Sequence, residues 1–258
     1  MARVHISCIL AFFFFSNLCF CLNPKNLDSS SITGEWSSAG ATWYGSPDGY
    51  GSDGGACGYG NAVGQAPFSS MITAIGPSLL DRSDQVKCTS NPACSGKSVR
   101  VVITDYCPGG VCASDSAHFD LSGTAFGALA VSGEEGKLRD AGVLEVKYSR
   151  VTCEYPGKKI AFHVDQGSNP YYFAVVVEYE DGEGDLSGID LKEEGSGSGE
   201  WRALQQSWGA TWKLDAGGEL HPPLSIRLTN GGGHKIVAKN VIPEGWQAGK
   251  SYRSIVNY

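Results

Sequence analysis

The stretch Gly142–Cys153, GVLEVKYSRVTC, followed by Glu154-Tyr155-Pro156-Gly157, decides how this chain is divided. Its period-2 alternation of apolar and polar residues reads as a strand with one face buried. Pro156-Gly157 then punctuates the chain. Cys153 is the last cysteine, and none occurs from Lys158 to Tyr258. A turn-rich, stapled unit over residues 36–155 is therefore expected to precede a cysteine-free unit over 156–258. The linker between them is too short to let the halves swing freely.

Working outward, Ser98–Thr104 (SVRVVIT) reads as a second strand of the first unit. Thr124–Val131 (TAFGALAV), introduced by Ser122-Gly123, reads as its short helix. The second unit carries strand-like runs at Ile160–Asp165, Tyr172–Glu180, Gly188–Lys192, Trp201–Gln205, Ala210–Leu214, Leu224–Asn230, His234–Ala238 and Arg253–Val256. About eight short strands separated by Gly/Asp turns predict an antiparallel β-sandwich. The acidic, Gly-rich Glu180–Glu200 reads as solvated hairpin turns. The 35 glycines suit such a turn-rich chain.

At the other end, Arg3, the apolar run Ile9–Phe15 and the small residues Cys19 and Cys21 read as an export signal over residues 1–22, with 23–35 as an N-terminal extension. The apolar run is short for a membrane span, and no second candidate follows. Export leaves Cys57, Cys88, Cys94, Cys107, Cys112 and Cys153, an even set that an oxidising compartment would pair as disulfides. The paired CxxC or histidine spacings that zinc prefers do not occur, so neither metal nor cofactor is expected. A net charge of −7 argues against nucleic acid, whose capture needs a basic face, and leaves polysaccharides open.

Several motifs together resemble the expansin family. They are Ala41-Thr42-Trp43-Tyr44-Gly45, Gly54-Gly55-Ala56-Cys57-Gly58-Tyr59-Gly60, Ile103-Thr104-Asp105, His118-Phe119-Asp120-Leu121-Ser122-Gly123 and Tyr155-Pro156-Gly157. Gly167-Ser168-Asn169-Pro170, Ser207-Trp208-Gly209-Ala210 and the Pro222–Leu228 segment continue the series. Their details are similar to the β branch, which includes the grass-pollen group-1 allergens. The resemblance implies an all-β chain: a six-stranded double-psi β-barrel followed by a carbohydrate-binding β-sandwich. It further implies a secreted, monomeric, non-membrane protein that loosens the plant cell wall by binding glucuronoarabinoxylan and cellulose without cutting them.

The same resemblance places Thr42, Tyr44, Asp53, Asp105, His118 and Asp120 in a groove. Glycosidases need two carboxyl groups across the scissile bond. In endoglucanases sharing this barrel the acid lies in His-Phe-Asp, matched here by His118-Phe119-Asp120. The base there closes Thr-x-Tyr-x-Asp, a frame that reads Thr42-Trp43-Tyr44-Gly45-Ser46 here. A serine hydroxyl cannot activate water as a carboxylate does, and Asp48, two residues on, is displaced from that position. Hydrolysis and passive binding are the competing functions. Asp105 and Asp120 could alternatively tie down loop amides, His118 could be hydrogen-bonded scaffolding, and Asp53 could be an ordinary turn residue. The resemblance also implies that Trp43, Tyr172 and Trp208 lie in a line across the two units on which sugar rings would stack. The alternative is that each belongs to a core. Trp36, Trp201, Trp212 and Trp246 are assigned to packing.

One departure bears on the fold. Family members carry a Gly-x-Gly-Cys-Gly-x-Cys-Tyr segment before the strand ending Val86-Lys87-Cys88, and here Leu79–Asp84 runs straight into Gln85. Part of a barrel strand is thus at stake, and its ladder groups would need partners. The short loops between Cys88 and Cys94 and between Cys107 and Cys112 contain turn formers, so those pairs are expected to bridge. By resemblance the partners of Cys57 and Cys153 are missing, which leaves both free or abnormally bridged.

Overall fold

The computed structural model describes residues 35–258 apart from 53, 77–78, 80–82 and 183. The expected export signal, nearly all of the N-terminal extension and Asp53 lie outside the described residues. Strands β1 (Ser37–Tyr44), β2 (Ile72–Ile75), β3 (Ser83–Cys88), β4 (Ser98–Tyr106), β5 (His118–Ser122) and β6 (Leu144–Arg150) build the first unit. They hydrogen-bond in the order β1-β5-β2-β4-β3-β6, and β6 returns to β1 to close the ring. The ring is uneven: β2 has four residues against nine in β4, and their pairing shifts register between Thr73 and Ala74.

The expected gap in the strand before Cys88 does not materialise. β3 pairs with β4 from Ser83↔Val102 to Lys87↔Ser98, and with β6 from Asp84↔Arg150 to Cys88↔Val146. Both edges of β3 are therefore occupied between Ser83 and Cys88, while residues 80–82 lie outside the described residues. Cys88–Cys94 and Cys107–Cys112 are bridged, with Cα separations of 5.4 and 5.8 Å. Cys57 is also disulfide-bonded, so the alternative that left it free does not hold; its bridge lies outside the described residues. Cys153 is buried and interacts with Tyr155.

Three short helices cover the ring: α1 (Val111–Ser114), α2 (Gly123–Gly127) and α3 (Glu135–Asp140). Ser122 caps α2 by accepting from the Ala125 amide at 3.0 Å, as the Ser-Gly start predicts. The helix stops at Gly127, earlier than its apolar run. Ala128, Leu129 and Ala130 turn back toward Ala93 and Ser95 through Val131 N–Ala93 O and Ser95 N–Leu129 O bonds. Phe119, Leu121, Phe126, Val86, Val101 and Val146 pack as the core of this unit.

The second unit is a sandwich of two antiparallel sheets. Its strands are β7 (Ala161–Val164), β8 (Tyr172–Glu178), β9 (Leu186–Glu193), β10 (Arg202–Ala203), β11 (Gln205–Gln206), β12 (Thr211–Asp215), β13 (Leu224–Asn230), β14 (Lys235–Ile242) and β15 (Ser251–Arg253). One sheet runs β10-β9-β13-β14 and the other β11-β12-β8-β7-β15. β8 explains its own continuous apolar run. Phe173, Val175 and Val177 enter the sandwich core, while Val176 on the opposite face packs against Cys57 and Ala210. Period-2 geometry places Tyr172 on the same face as Val176. That face is covered by the first unit at one end and open at the other.

An aromatic cluster locks the units together. The Phe68 ring lies 5.5 Å from Tyr59, 6.0 Å from Tyr155 and 5.5 Å from Tyr179, with edge and tilted geometries. Around it the Tyr155 amide donates to Asp181 Oδ1 at 2.6 Å, and Cys153 and Gly182 exchange two backbone bonds. These contacts give the short linker a fixed geometry. Phe68 is 2% exposed, so Phe68→Ala should cost about 3–5 kcal/mol. Urea denaturation of the variant beside the parent protein measures this, and a loss below about 1 kcal/mol would show that the junction does not depend on the ring.

Candidate functional site

Parallel pairing of β1 with β5 brings the expected groove residues Thr42, His118 and Asp120 together. Thr42 lies across from Asp120, Gly40 from His118 and Tyr44 from Ser122. Thr42 Oγ1 donates to Asp120 Oδ1 at 2.7 Å and lies 2.9 Å from His118 Nε2. The imidazole is fully buried, and its Nδ1 lies 2.7 Å from Asp115 Oδ2. Asp115 is the residue that sequence reasoning missed; its position three residues before His118 was the available signal. Gly40 makes this contact possible, because a Cβ there would fall 2.6 Å from His118 Nδ1 and closer still to Asp115.

Burial raises the Asp120 carboxyl above the ordinary range. The Thr42 hydrogen bond and the nearby His118 lower it in part, and Asp105 raises it again. Tyr44 is held well above the usual phenol range, by burial first and then by Asp105 and Asp120. Its ring lies on Gly51, whose φ of 84° and missing side chain both suit the close approach. Asp105 has a different role from Asp120. Its Oδ1 accepts from the Ala56 and Tyr106 amides at 2.7 and 2.8 Å, and its Oδ2 accepts from Ser52 at 3.2 Å. Those bonds tie down a loop.

Ser46 is exposed at the frame's base position. Arg139 pins the adjoining segment by donating to Pro47 O at 2.7 Å and Gly123 O at 3.1 Å. Asp48 is fully exposed and lies 3.7 Å from the same guanidinium. Cys107 and Cys112 lie with Asp120 in a cluster whose sulfur and carboxylate atoms are all within 4.8 Å. The two sulfurs are bonded to each other, so they are not thiolate ligands for a metal.

The three aromatics expected to line up differ in exposure. Trp208 is 47% exposed and sits at the β11–β12 turn, against Gly58 of the first unit, where a Cβ would fall 2.8 Å from its ring. Tyr172 is half-buried at the opposite end of β12, paired with Asp215. Trp43 is more enclosed than its polar neighbours suggested: it packs against the core, and its Nε1 donates to Arg139 O at 3.3 Å. Tyr171, at 57%, is more exposed than Tyr172. Of the tryptophans assigned to packing, Trp212 is buried and Trp246 lies edge-on to Phe173. Trp36 is stacked by Lys87 and Trp201 by Arg227, both at its face rather than in a core.

Two family models match the chain: the expansin C-terminal domain over residues 160–243, and the double-psi β-barrel model described as lytic transglycolase over 38–148. Expansin-B11 of Oryza sativa subsp. japonica is 54% identical over 244 residues, covering 92% of this chain and 82% of its own length. Expansin-B4 of Arabidopsis thaliana is 48% identical over 258 residues, covering 97% and 96%. Among solved structures, a mutant Clavibacter michiganensis expansin in complex with cellohexaose shares the fold at a TM-score of 0.62 and 20% identity, covering 86% of this chain and 98% of that one. The chain belongs to the expansin family, in its β branch.

Because folded Asp120 titrates above an unfolded aspartic acid, near 3.9, its ionisation opposes folding. That contribution to stability is present below about pH 4 and is lost as pH rises through the raised folded value. Asp120→Asn removes the slope. Denaturation at a series of pH values should show the variant gaining on the parent across that window and running level with it below pH 4. A constant difference at every pH would mean that Asp120 titrates normally.

Proposed function

We propose that this protein is a secreted cell-wall loosening protein that binds wall polysaccharide and weakens its non-covalent adhesion without hydrolysis. The observation that carries the reading is the asymmetry of the groove's acids. Asp120 is half-buried and raised, as a donor acid would be. Among the described residues no second carboxylate faces it as a base: the oxygens of Asp105 accept loop hydrogen bonds, Asp48 is fully exposed, and Ser46 fills the expected position. A glycosidase needs both groups.

The units over 36–155 and 156–258 would then act together, the first gripping a chain in the groove and the second along the face bearing Trp208 and Tyr172. The cellohexaose complex of the Clavibacter expansin supports a glucan ligand. Glucuronoarabinoxylan lying on cellulose is the proposed target, engaged by a monomer outside the cell. Trp43, already packed and hydrogen-bonded, would contribute less stacking area than Trp208.

Trp208→Ala should weaken retention on insoluble cellulose or wall preparations by about 1–3 kcal/mol, the size of losing a stacking aromatic. Tyr172→Ala and Trp43→Ala should each cost less. The parent protein should extend heat-killed wall strips under load while releasing no reducing sugar from soluble glucan or xylan. Sugar release that disappears in Asp120→Asn would establish hydrolysis instead. Retention without extension would leave a passive binding module.

A further inference from the structure

The chain Asp115–His118–Thr42–Asp120 has a property that follows from counting its protons. Thr42 has one hydroxyl hydrogen, and its oxygen lies within hydrogen-bond range of both Asp120 and His118 Nε2. If Thr42 donates to Asp120, Nε2 must carry a proton and donate to Thr42. With Asp115 ionised, Nδ1 then also carries a proton, and the imidazole is a cation between two carboxylates. If Thr42 instead donates to Nε2, the imidazole is neutral with its proton on Nδ1, and the Thr42 oxygen must accept from a protonated Asp120. The two arrangements hold the same number of protons.

We propose that Asp115 is a positioning residue that acts through the buried imidazole and the Thr42 hydroxyl to decide whether Asp120 or His118 holds their shared proton. The step balances. The Nε2 proton passes to Thr42 Oγ1 as the Thr42 proton passes to Asp120 Oδ1, turning imidazolium and carboxylate into imidazole and carboxylic acid. Nothing else is consumed. Asp115 favours the first arrangement, since its charge stabilises the cation it touches.

Three features make this a built device. His118 is fully buried, so water does not compete for either ring nitrogen. Gly40 leaves the space that the Asp115–His118 contact occupies. Asp115 has a side chain 37% exposed, so the far end of the chain meets solvent while the near end faces the groove. Among the described residues, the other titratable groups whose charge couples to Asp120 are Asp105 and Tyr44; the neighbouring Cys107–Cys112 bridge does not titrate. The inference rests on the reading of Asp120 as the groove's acid. Its test reads protons directly and so does not depend on wall binding.

The experiment is NMR titration of the Asp120 carboxyl carbon and the His118 ring nitrogens, on the parent protein and on Asp115→Asn. Direct repulsion between carboxylates predicts that Asp115→Asn makes Asp120 easier to ionise. The shared proton predicts the opposite: Asp120 becomes harder to ionise, and Nε2 moves toward an unprotonated nitrogen. Thr42→Val should abolish that upward response when combined with Asp115→Asn, and Thr42→Ser, which keeps the hydroxyl, should preserve it. A downward or absent shift in Asp120, or an upward one that survives Thr42→Val, overturns the relay. The relay could hold while wall extension fails, or fail while extension holds, so the two readings fall separately.

Discussion

Thr42 lies opposite Asp120 in the parallel pairing of β1 with β5, and the hydrogen-bonded chain from Asp115 to Asp120 depends on that register. Parallel strands need a long crossover, and here about 70 residues separate the two segments in sequence. A slip of one residue would turn Thr42 to the other face and leave the Asp120 carboxylate without its donor. The same register sets Gly40 beside His118, and only a glycine leaves room there for the Asp115 contact. The hydrogen-bonded chain is thus a consequence of strand pairing rather than of a local motif.

A second constraint connects the groove to the aromatic face. Asp105 accepts from the Ala56 amide, Cys57 N donates to Thr104 O at 3.1 Å, and Ala210 N donates to Cys57 O at 3.0 Å. The loop tied down by Asp105 is therefore the loop on which the Ser207–Ala210 turn docks. Trp208 rests on Gly58 of that same loop, where φ is 87° and any side chain would strike the ring. With the Phe68 cluster holding the units together, the indole is fixed relative to the groove. A polymer meeting both would meet a rigid surface, which limits the entropy lost on binding.

The acids of this protein separate by environment rather than by type. Asp120 is partly desolvated and titrates high, whereas Asp105 spends its lone pairs on amides and serves the backbone. Glu178, buried in β8, is pushed up to about 7 by desolvation, partly offset by Arg253. Glu180, beside Asp185, is also raised well above the ordinary carboxylate range, by burial and by that like charge. Both glutamates also raise the Tyr59 phenol of the first unit, so their charge is felt at the junction between the units.

The sequence by itself determined the sandwich strands and the Ser122 cap, and it supplied the motifs in which Thr42, His118 and Asp120 stand. Period-2 alternation, turn residues and motif order are local signals, and they survive in a single chain. Other features were decided only in three dimensions. Ring closure required β3 to find β4 on one side and β6 on the other, which are contacts between distant residues. Asp115 joined the site because folding set it beside a buried imidazole. Trp43 lost the exposure that its neighbours implied because α3 supplied an acceptor, Arg139 O, from nearly a hundred residues away. Burial and hydrogen-bond direction are properties of what packs around a residue, and a sequence lists only what precedes and follows it.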